Sequence, residues 1–270
     1  EKEWLSRTPA ARTKQSKSRL KRYQELASEA RADEMAQAVE LRIPPGPRLG
    51  DKVLDVDNLV YAHLVPERAR RAYDVAPIVE TLADEGSVTF LRPRFAREMV
   101  TALARIEGRA VGIIANDTRF TAGAIAAAAS DKAARLLQLC DAFGLPVVSL
   151  IDCPGYMVGP AAEAESLVRR ASRMLVAGAA LRVPMVAVIL RRGYGLGAQA
   201  MAGGSLHEPV LTVAWPGAHL GPMGLEGAVR LGMRKELEAI ADDAEREQRV
   251  AAATAAAQDN AKALNAAMLF

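Results

Sequence analysis

Two cysteines and three histidines in 270 residues leave little material for thiol or metal chemistry. Cys140 and Cys153 stand at no metal-ligand spacing and read as core residues. His63, His207 and His219 are scattered, the last two in loops beside prolines, so neither a metal site nor a histidine base is expected. Apolar runs long enough to span a membrane are lacking, and the opening Glu1-Lys2-Glu3-Trp4 is no basic-then-apolar leader, so a cytoplasmic location is expected. There is no Gly-x-x-x-x-Gly-Lys-Ser/Thr loop to cradle nucleotide phosphates, and no Gly-x-Ser-x-Gly elbow to raise a nucleophile. The formal net charge of +3 is too mild to imply nucleic acid by itself.

What is there divides into two compositions. From Arg7 to Arg22 the charged side chains are all basic: Arg7, Arg12, Lys14, Lys17, Arg19, Lys21 and Arg22. Helix formers dominate residues 10–39, and Ile43-Pro44-Pro45-Gly46-Pro47 ends that pattern, because proline removes amide donors and fixes φ. Such a segment fits a solvated helix followed by a linker. It also fits an RNA-contacting helix, with a weak phosphate contact through residues 7–22. The remainder is rich in Ala and Val and alternates apolar strands with amphipathic helices, which favours a layered α/β fold. A hairpin is expected from residues 99–106 and 109–115 around Glu107-Gly108, with a helix over 131–143 completing a ββα unit. Further strands are expected at 147–152, 185–190 and 210–215. Helices are expected over 161–181 and, as one long element, over 234–267.

The segment Leu190-Arg191-Arg192-Gly193-Tyr194-Gly195-Leu196-Gly197-Ala198-Gln199-Ala200-Met201 reads as a buried strand turning through glycines into a short helix. Unpaired amides at a helix start, with the positive dipole end behind them, suit a phosphate or an oxyanion. Gly193-x-Gly195-x-x-Ala198 formally satisfies a dinucleotide fingerprint. The crossover helix is too short, however, and the next strand ends in Trp215-Pro216-Gly217 with no acid for a ribose. Oxyanion stabilisation by backbone amides remains. Asp152-Cys153-Pro154-Gly155 and Ala214-Trp215-Pro216-Gly217 close two other strands, and ligands of open α/β sheets gather at such carboxyl ends.

Two resemblances bear on these residues. Arg7-Thr8-Pro9-Ala10-Ala11-Arg12, Ser18-Arg19-Leu20-Lys21-Arg22-Tyr23 and Ile43-Pro44-Pro45-Gly46-Pro47-Arg48-Leu49-Gly50-Asp51 resemble the interdomain linker of ABC-F translation-factor ATPases. Gly108-Arg109-Ala110-Val111-Gly112-Ile113-Ile114-Ala115-Asn116, Asp131-Lys132-Ala133-Ala134-Arg135, Asp152-x-Pro154-Gly155, Arg192-Gly193-Tyr194-Gly195-Leu196-Gly197-Ala198 and Met223-Gly224-x-Glu226-Gly227-Ala228-Val229 resemble the carboxyltransferase of biotin-dependent acyl-CoA carboxylases. The second likeness covers only the C-terminal half of that enzyme. It implies a crotonase-type α/β fold, a spiral of ββα units, preceded here by the basic helical appendage. The domains expected are residues 1–44, a basic linker-like segment; 45–64, a Pro/Gly-rich junction; and 65–270, the carboxyltransferase C-terminal domain.

The second resemblance further implies carboxybiotin on a carrier domain as cofactor, no metal, and partners in an acyl-CoA-binding N-terminal half and further copies in a homo-oligomer. The carboxyl group would pass to an acyl-CoA held by the missing half, so the chain alone is expected to be inactive. Carried onto this chain, the oxyanion donors are the backbone amides of Gly195, Leu196 and Gly197. The biotin-side contacts are Asp152, Pro154, Gly155, Tyr194 and Ala198. A valine at Gly197 is expected to crowd the biotin ring and leave the fold intact. The alternative reading is a non-catalytic RNA- or ribosome-binding fragment of ABC-F type.

Overall fold

The computed structural model describes residues 64–66, 71–263 and 265. The expected basic helix, the Pro/Gly junction up to His63 and the proposed RNA contact through residues 7–22 lie outside the described residues.

Helix α1 (Ala76–Leu82) leads into β1 (Thr89–Phe90), β2 (Met99–Ile106) and β3 (Arg109–Asn116). The β2–β3 pair is the expected hairpin, in register from Met99 opposite Asn116 to Ile106 opposite Arg109. Its two-residue turn has positive φ at both Glu107 (51°) and Gly108 (77°), the geometry that matches the twist of paired strands. Both turn amides donate to the carboxylate of Asp84, at 2.8 Å each. This ion-dipole clasp lets a glutamate occupy a position usually given to Asn, Asp or Gly. Helix α2 (Ala127–Phe143) completes the first unit. It begins four residues before the expected start and ends at Gly144, whose left-handed φ of 67° lets Leu145 donate back to the Cys140 carbonyl.

The remaining elements are β4 (Val147–Cys153), α3 (Pro160–Ala164), α4 (Leu167–Ala179), β5 (Met185–Tyr194), α5 (Gly195–Met201), β6 (Leu211–Ala214), β7 (His219–Gly221), α6 (Leu225–Gly232), α7 (Arg234–Glu238) and α8 (Asp243–Asn260). One sheet runs β1-β2-β3-β4-β5-β6, antiparallel through β3 and parallel beyond it, and β7 also pairs with β5. The central strands are apolar almost without break because both faces are covered. Ile114, Ile151 and Ile189 face a core shared with Leu137, Met174 and Met201 from the helices, whereas Ile113, Leu150 and Leu190 face a second core with Val75, Ile78 and Val79. Cys140 and Cys153 are buried, as the sequence suggests.

Two helix expectations are corrected. The single helix over 161–181 is two, broken at Ser166, whose φ is +59°. Leu167, Ala171, Met174 and Ala177 bury a helical stripe in α4, but no residue of α3 is buried, so packing does not hold the two collinear. The single helix expected over 234–267 is interrupted after Glu238 and restarts at Asp243. Asp242 caps the restart, accepting from the amides of Ala244 and Glu245, and Asp242-Asp243 is the local signal that the apolar pattern overrode.

Candidate active site

Strand β5 is the pivot of the site. Its first half pairs with β6, from Val186 opposite Leu211 to Ile189 opposite Ala214. Its last residues pair instead with β7, from Arg192 opposite His219 to Tyr194 opposite Gly221. The Trp215-Pro216-Gly217 turn bridges this fork, with the Trp215 amide donating to the Ile189 carbonyl at 2.9 Å. The strand therefore runs four residues beyond the expected end at Leu190.

Opposite β4 the register breaks. Ile151 faces Ile189 and Cys153 faces Gly193, so Asp152 alone stands against Leu190, Arg191 and Arg192. Neighbouring side chains on a regular strand point to opposite faces. The bulge suspends that alternation and lets two consecutive arginines reach one carboxylate. Arg191 Nε lies 2.9 Å and Arg192 Nε 2.6 Å from the two oxygens of Asp152, whose side chain is 0% exposed. Arg191 also donates to the carbonyls of Pro66 and Arg71 and lies over the Tyr73 ring, while Arg192 donates to the Ala122 carbonyl at 2.7 Å. The Asp152 amide donates to Asn116 Oδ1, and Asn116 Nδ2 donates to the Gly123 carbonyl. Asp152 is thus the hub that fixes the ends of β3, β4 and β5, rather than a side chain offered to a ligand. The sequence signal for this hub was the Arg191-Arg192 pair at the end of an otherwise apolar strand.

Helix α5 follows β5 without a loop, with Tyr194 as its N-cap residue and Gly195, Leu196 and Gly197 as its first turn. The amides of a first turn precede the helix's own hydrogen-bond ladder. Leu196 is 62% exposed, so its side chain lies at the surface of the corner. The flanking glycines are packing requirements. Gly195 has φ +57°, and a Cβ there would come 2.7 Å from the Pro222 carbonyl oxygen. A Cβ on Gly197 would come 2.7 Å from the Gly155 carbonyl carbon and 2.8 Å from Cys153 Sγ. The β4 end and the α5 start touch backbone to backbone at this point. A valine at Gly197 therefore collides with protein, and the expectation that it would leave the fold intact is wrong. Ala198 is 1% exposed and packs in the core, so its side chain also does not reach open space.

Pro154 and Tyr194 line a cleft of about 540 Å³ with Arg192, the Gly224–Gly227 start of α6, and Val250, Thr254 and Gln258 of α8. Arg230 bridges Glu226 of α6 and Glu247 of α8, at 3.1 and 2.8 Å, and joins the two helical walls. Three of the sequence motifs thus meet at the carboxyl ends of parallel strands. Of the predicted site residues, Pro154 and Tyr194 line this cleft, Gly155 and Gly197 touch one another, and Asp152 and Ala198 are buried. Burial pushes the Cys153 thiol up to about 12 and the Cys140 thiol up to about 11, so neither is a thiolate near neutrality. Burial, with Lys262 nearby, lowers His219 from its ordinary value, which keeps its ring neutral at pH 7. No group of three or more His, Cys, Asp or Glu side chains suited to a metal ion occurs among the described residues.

Helix α5 thus opens directly after Tyr194, a residue of the cleft lining, and no titratable side chain stands among Gly195, Leu196 and Gly197. The family model described as "Carboxyl transferase domain" matches residues 28–268, and the chain belongs to that family. The match begins within the segment that resembles an ABC-F linker. The methylmalonyl-CoA carboxyltransferase 12S subunit of Propionibacterium freudenreichii subsp. shermanii is 37% identical over 194 residues, covering 72% of this chain and 37% of the relative. The propionyl-CoA carboxylase carboxyltransferase subunit of Haloferax mediterranei is 37% identical over 186 residues, covering 68% and 36%. Among solved structures, a single-chain, multi-domain long-chain acyl-CoA carboxylase aligns with a TM-score of 0.72 and 53% identity over 77% of this chain and 20% of that one. The transcarboxylase 12S hexamer aligns with a TM-score of 0.64 and 36% identity over 72% and 37%. The fold is the crotonase-like one. The chain spans little more than a third of the length of these curated relatives.

Proposed function

We propose that this chain is the biotin-side half of an acyl-CoA carboxyltransferase, completed by an acyl-CoA-binding half and served by a biotin carboxyl carrier domain. The observation that carries the reading is the β5–α5 corner, where a strand end delivers three consecutive first-turn amides beside a cleft within a carboxyl transferase domain. Carboxybiotin, when bound, supplies the carboxyl group and a ureido oxygen that gains negative charge as that group leaves. The amides of Gly195, Leu196 and Gly197 hold that oxygen by hydrogen bonding, a task that needs position and no titration. The donor set fits an oxyanion: neutral N–H groups at a helix start, with Leu196 at the surface and no carboxylate among them. Pro154 and Tyr194, which line the cleft, form the wall on which the ring rests, with Gly155 packed behind them against Gly197. Asp152 acts indirectly as a positioning residue, since it locks Arg191 and Arg192 and with them the strand end from which α5 starts.

The relatives are named for propionyl-CoA and methylmalonyl-CoA and a structural neighbour for long-chain acyl-CoA, and an acyl-CoA is the acceptor class we assign here. One structural neighbour is described as a hexamer and another as a single multi-domain chain, which supports work within an oligomeric assembly. No helix among the described residues is long and apolar enough to cross a membrane, in keeping with a cytoplasmic assembly. The test combines this chain, a separately produced acyl-CoA half and a carboxylated carrier, and follows carboxylation of propionyl-CoA. Product requires all three components if the reading holds. Steady turnover by this chain and the carrier alone, or none from the complete mixture, overturns it.

A further inference from the structure

A second cavity, of about 170 Å³, lies between two loops apart from the corner: the β1–β2 loop, with Leu91, Pro93 and Arg97, and the segment after β3, with Asp117, Arg119 and Phe120. These loops are held in costly backbone conformations. Arg92 (φ 51°) and Ala96 (φ 44°) lie in the first, Thr121 (φ 46°) and Ala122 (φ 53°) in the second. They are four of the six non-glycine residues with positive φ among the described residues, and such strain collects where a particular shape serves binding.

The cations there differ in availability. Arg119 is spent: Asp117 accepts from its Nε and Nη2, and Asp74 pairs with its Nη1 at 2.6 Å. Arg97 is not; its guanidinium lies 4.0 Å above the Phe120 ring and makes no hydrogen bond or ion pair among the described residues. Lys132 rises from α2 with its residue only 3% exposed, donating to the carbonyls of Phe95 (2.7 Å) and Ala96 (3.3 Å). An ammonium has three donors, so one remains. Desolvation pushes this amine down to about 8, so it is still mostly charged at neutral pH. Phe90, Leu91, Met99 and Val100 supply an apolar wall.

We infer that this cavity binds a short aliphatic carboxylate, its oxygens between Arg97 and the free Lys132 donor and its methylenes against the Phe90–Met99 wall. The volume admits a chain of about three to five carbons, at roughly 30 Å³ per water-sized volume. This inference is independent of the chemistry assigned to the β5–α5 corner.

Isothermal titration of the full chain with butyrate, butyramide and inorganic phosphate tests it. Butyrate is expected to bind, with butyramide weaker by roughly tenfold or more because charge-assisted hydrogen bonds are lost. Arg97→Gln, an exposed substitution that leaves Lys132 and both loops in place, is expected to weaken butyrate at least fivefold. Lys132→Met, where it folds, should weaken it further. No heat with butyrate, equal affinity for butyramide, no effect of Arg97→Gln, or binding of phosphate in preference to butyrate would each overturn the assignment.

Discussion

Replacing Asp152 by Asn should destabilise the whole carboxyl transferase domain. The substitution keeps the side-chain shape and removes the one negative charge between two guanidinium groups whose side chains are 3% and 11% exposed. Breaking a single buried ion pair by deleting one partner costs about 3–5 kcal/mol, because the other charge is left in a poor solvent. Here two arginines lose the same partner. The Asn oxygen still accepts from one of them, and Arg191 and Arg192 keep their carbonyl acceptors at Arg71 and Ala122, which limits the loss. We expect a net cost of about 3–5 kcal/mol for Asp152→Asn and more for Asp152→Ala. In a domain of this size that corresponds to a fall in Tm of roughly 6–20 °C. Urea unfolding followed by circular dichroism reads the effect. Methionines at both Arg191 and Arg192 in the Asp152→Asn background should recover part of it, since apolar replacement of the complete cluster leaves no unpaired charge. A loss below about 1 kcal/mol would refute the role of Asp152 as a buried hub.

Gly197→Ala should cost about 1–3 kcal/mol through overpacking against Gly155, whereas Gly232→Ala, with nothing within 4 Å of the added carbon, should be neutral; chemical denaturation of the pair checks the contrast. With their thiols held up to about 11 and about 12, Cys140 and Cys153 should resist iodoacetamide at pH 8 in the native state and react after unfolding, as mass spectrometry would show. Lys132 is lowered from 10.5 to about 8, so the unfolded chain binds more protons between these values and the Lys132 contribution to stability must rise as pH increases from 8 to 10.5. Urea midpoints of the wild type minus those of Lys132→Met should increase across that window; a flat difference would count against the burial of the amine.

The layered architecture was legible because periodicity and turn chemistry agree over most of the chain. Residues 99–106 and 109–116 are two largely apolar runs around a Glu-Gly turn, and 147–153 and 185–190 are apolar strands bounded by Gly, Pro and charged residues. What was missed depends on contacts distant in sequence. The extension of β5 to Tyr194 needs β7 as a new partner, and no local pattern announces a strand that changes neighbours midway. Arg191 and Arg192 look like a solvated strand end until the bulge at Asp152 brings all three charges together. Asp152 itself was read as a contact for biotin because it stands in a motif at a strand end, the same position that makes it a hub. The sequence presents Gly197 as clearance for a ligand, whereas the place of the missing carbon is taken by Gly155 in the loop after β4. Position along the chain located the corner; which glycine faces outward is decided by packing.

The amide donor at the corner can be removed with little disturbance. Leu196 is the second residue of α5, is 62% exposed, and lies where proline is tolerated because first-turn amides have no partner in the helix. The preceding Gly195 lacks the Cβ, one of the two groups that crowd a following proline ring. Carboxyl transfer from the carrier to propionyl-CoA, measured with the acyl-CoA half present, should fall about 10²–10³-fold for Leu196→Pro, the loss typical of one oxyanion donor. Leu196→Ala, which keeps the N–H, should retain activity, and both variants should melt close to the wild type. Full activity in Leu196→Pro with an intact fold, or an equal loss in Leu196→Ala, would contradict oxyanion stabilisation by the β5–α5 corner.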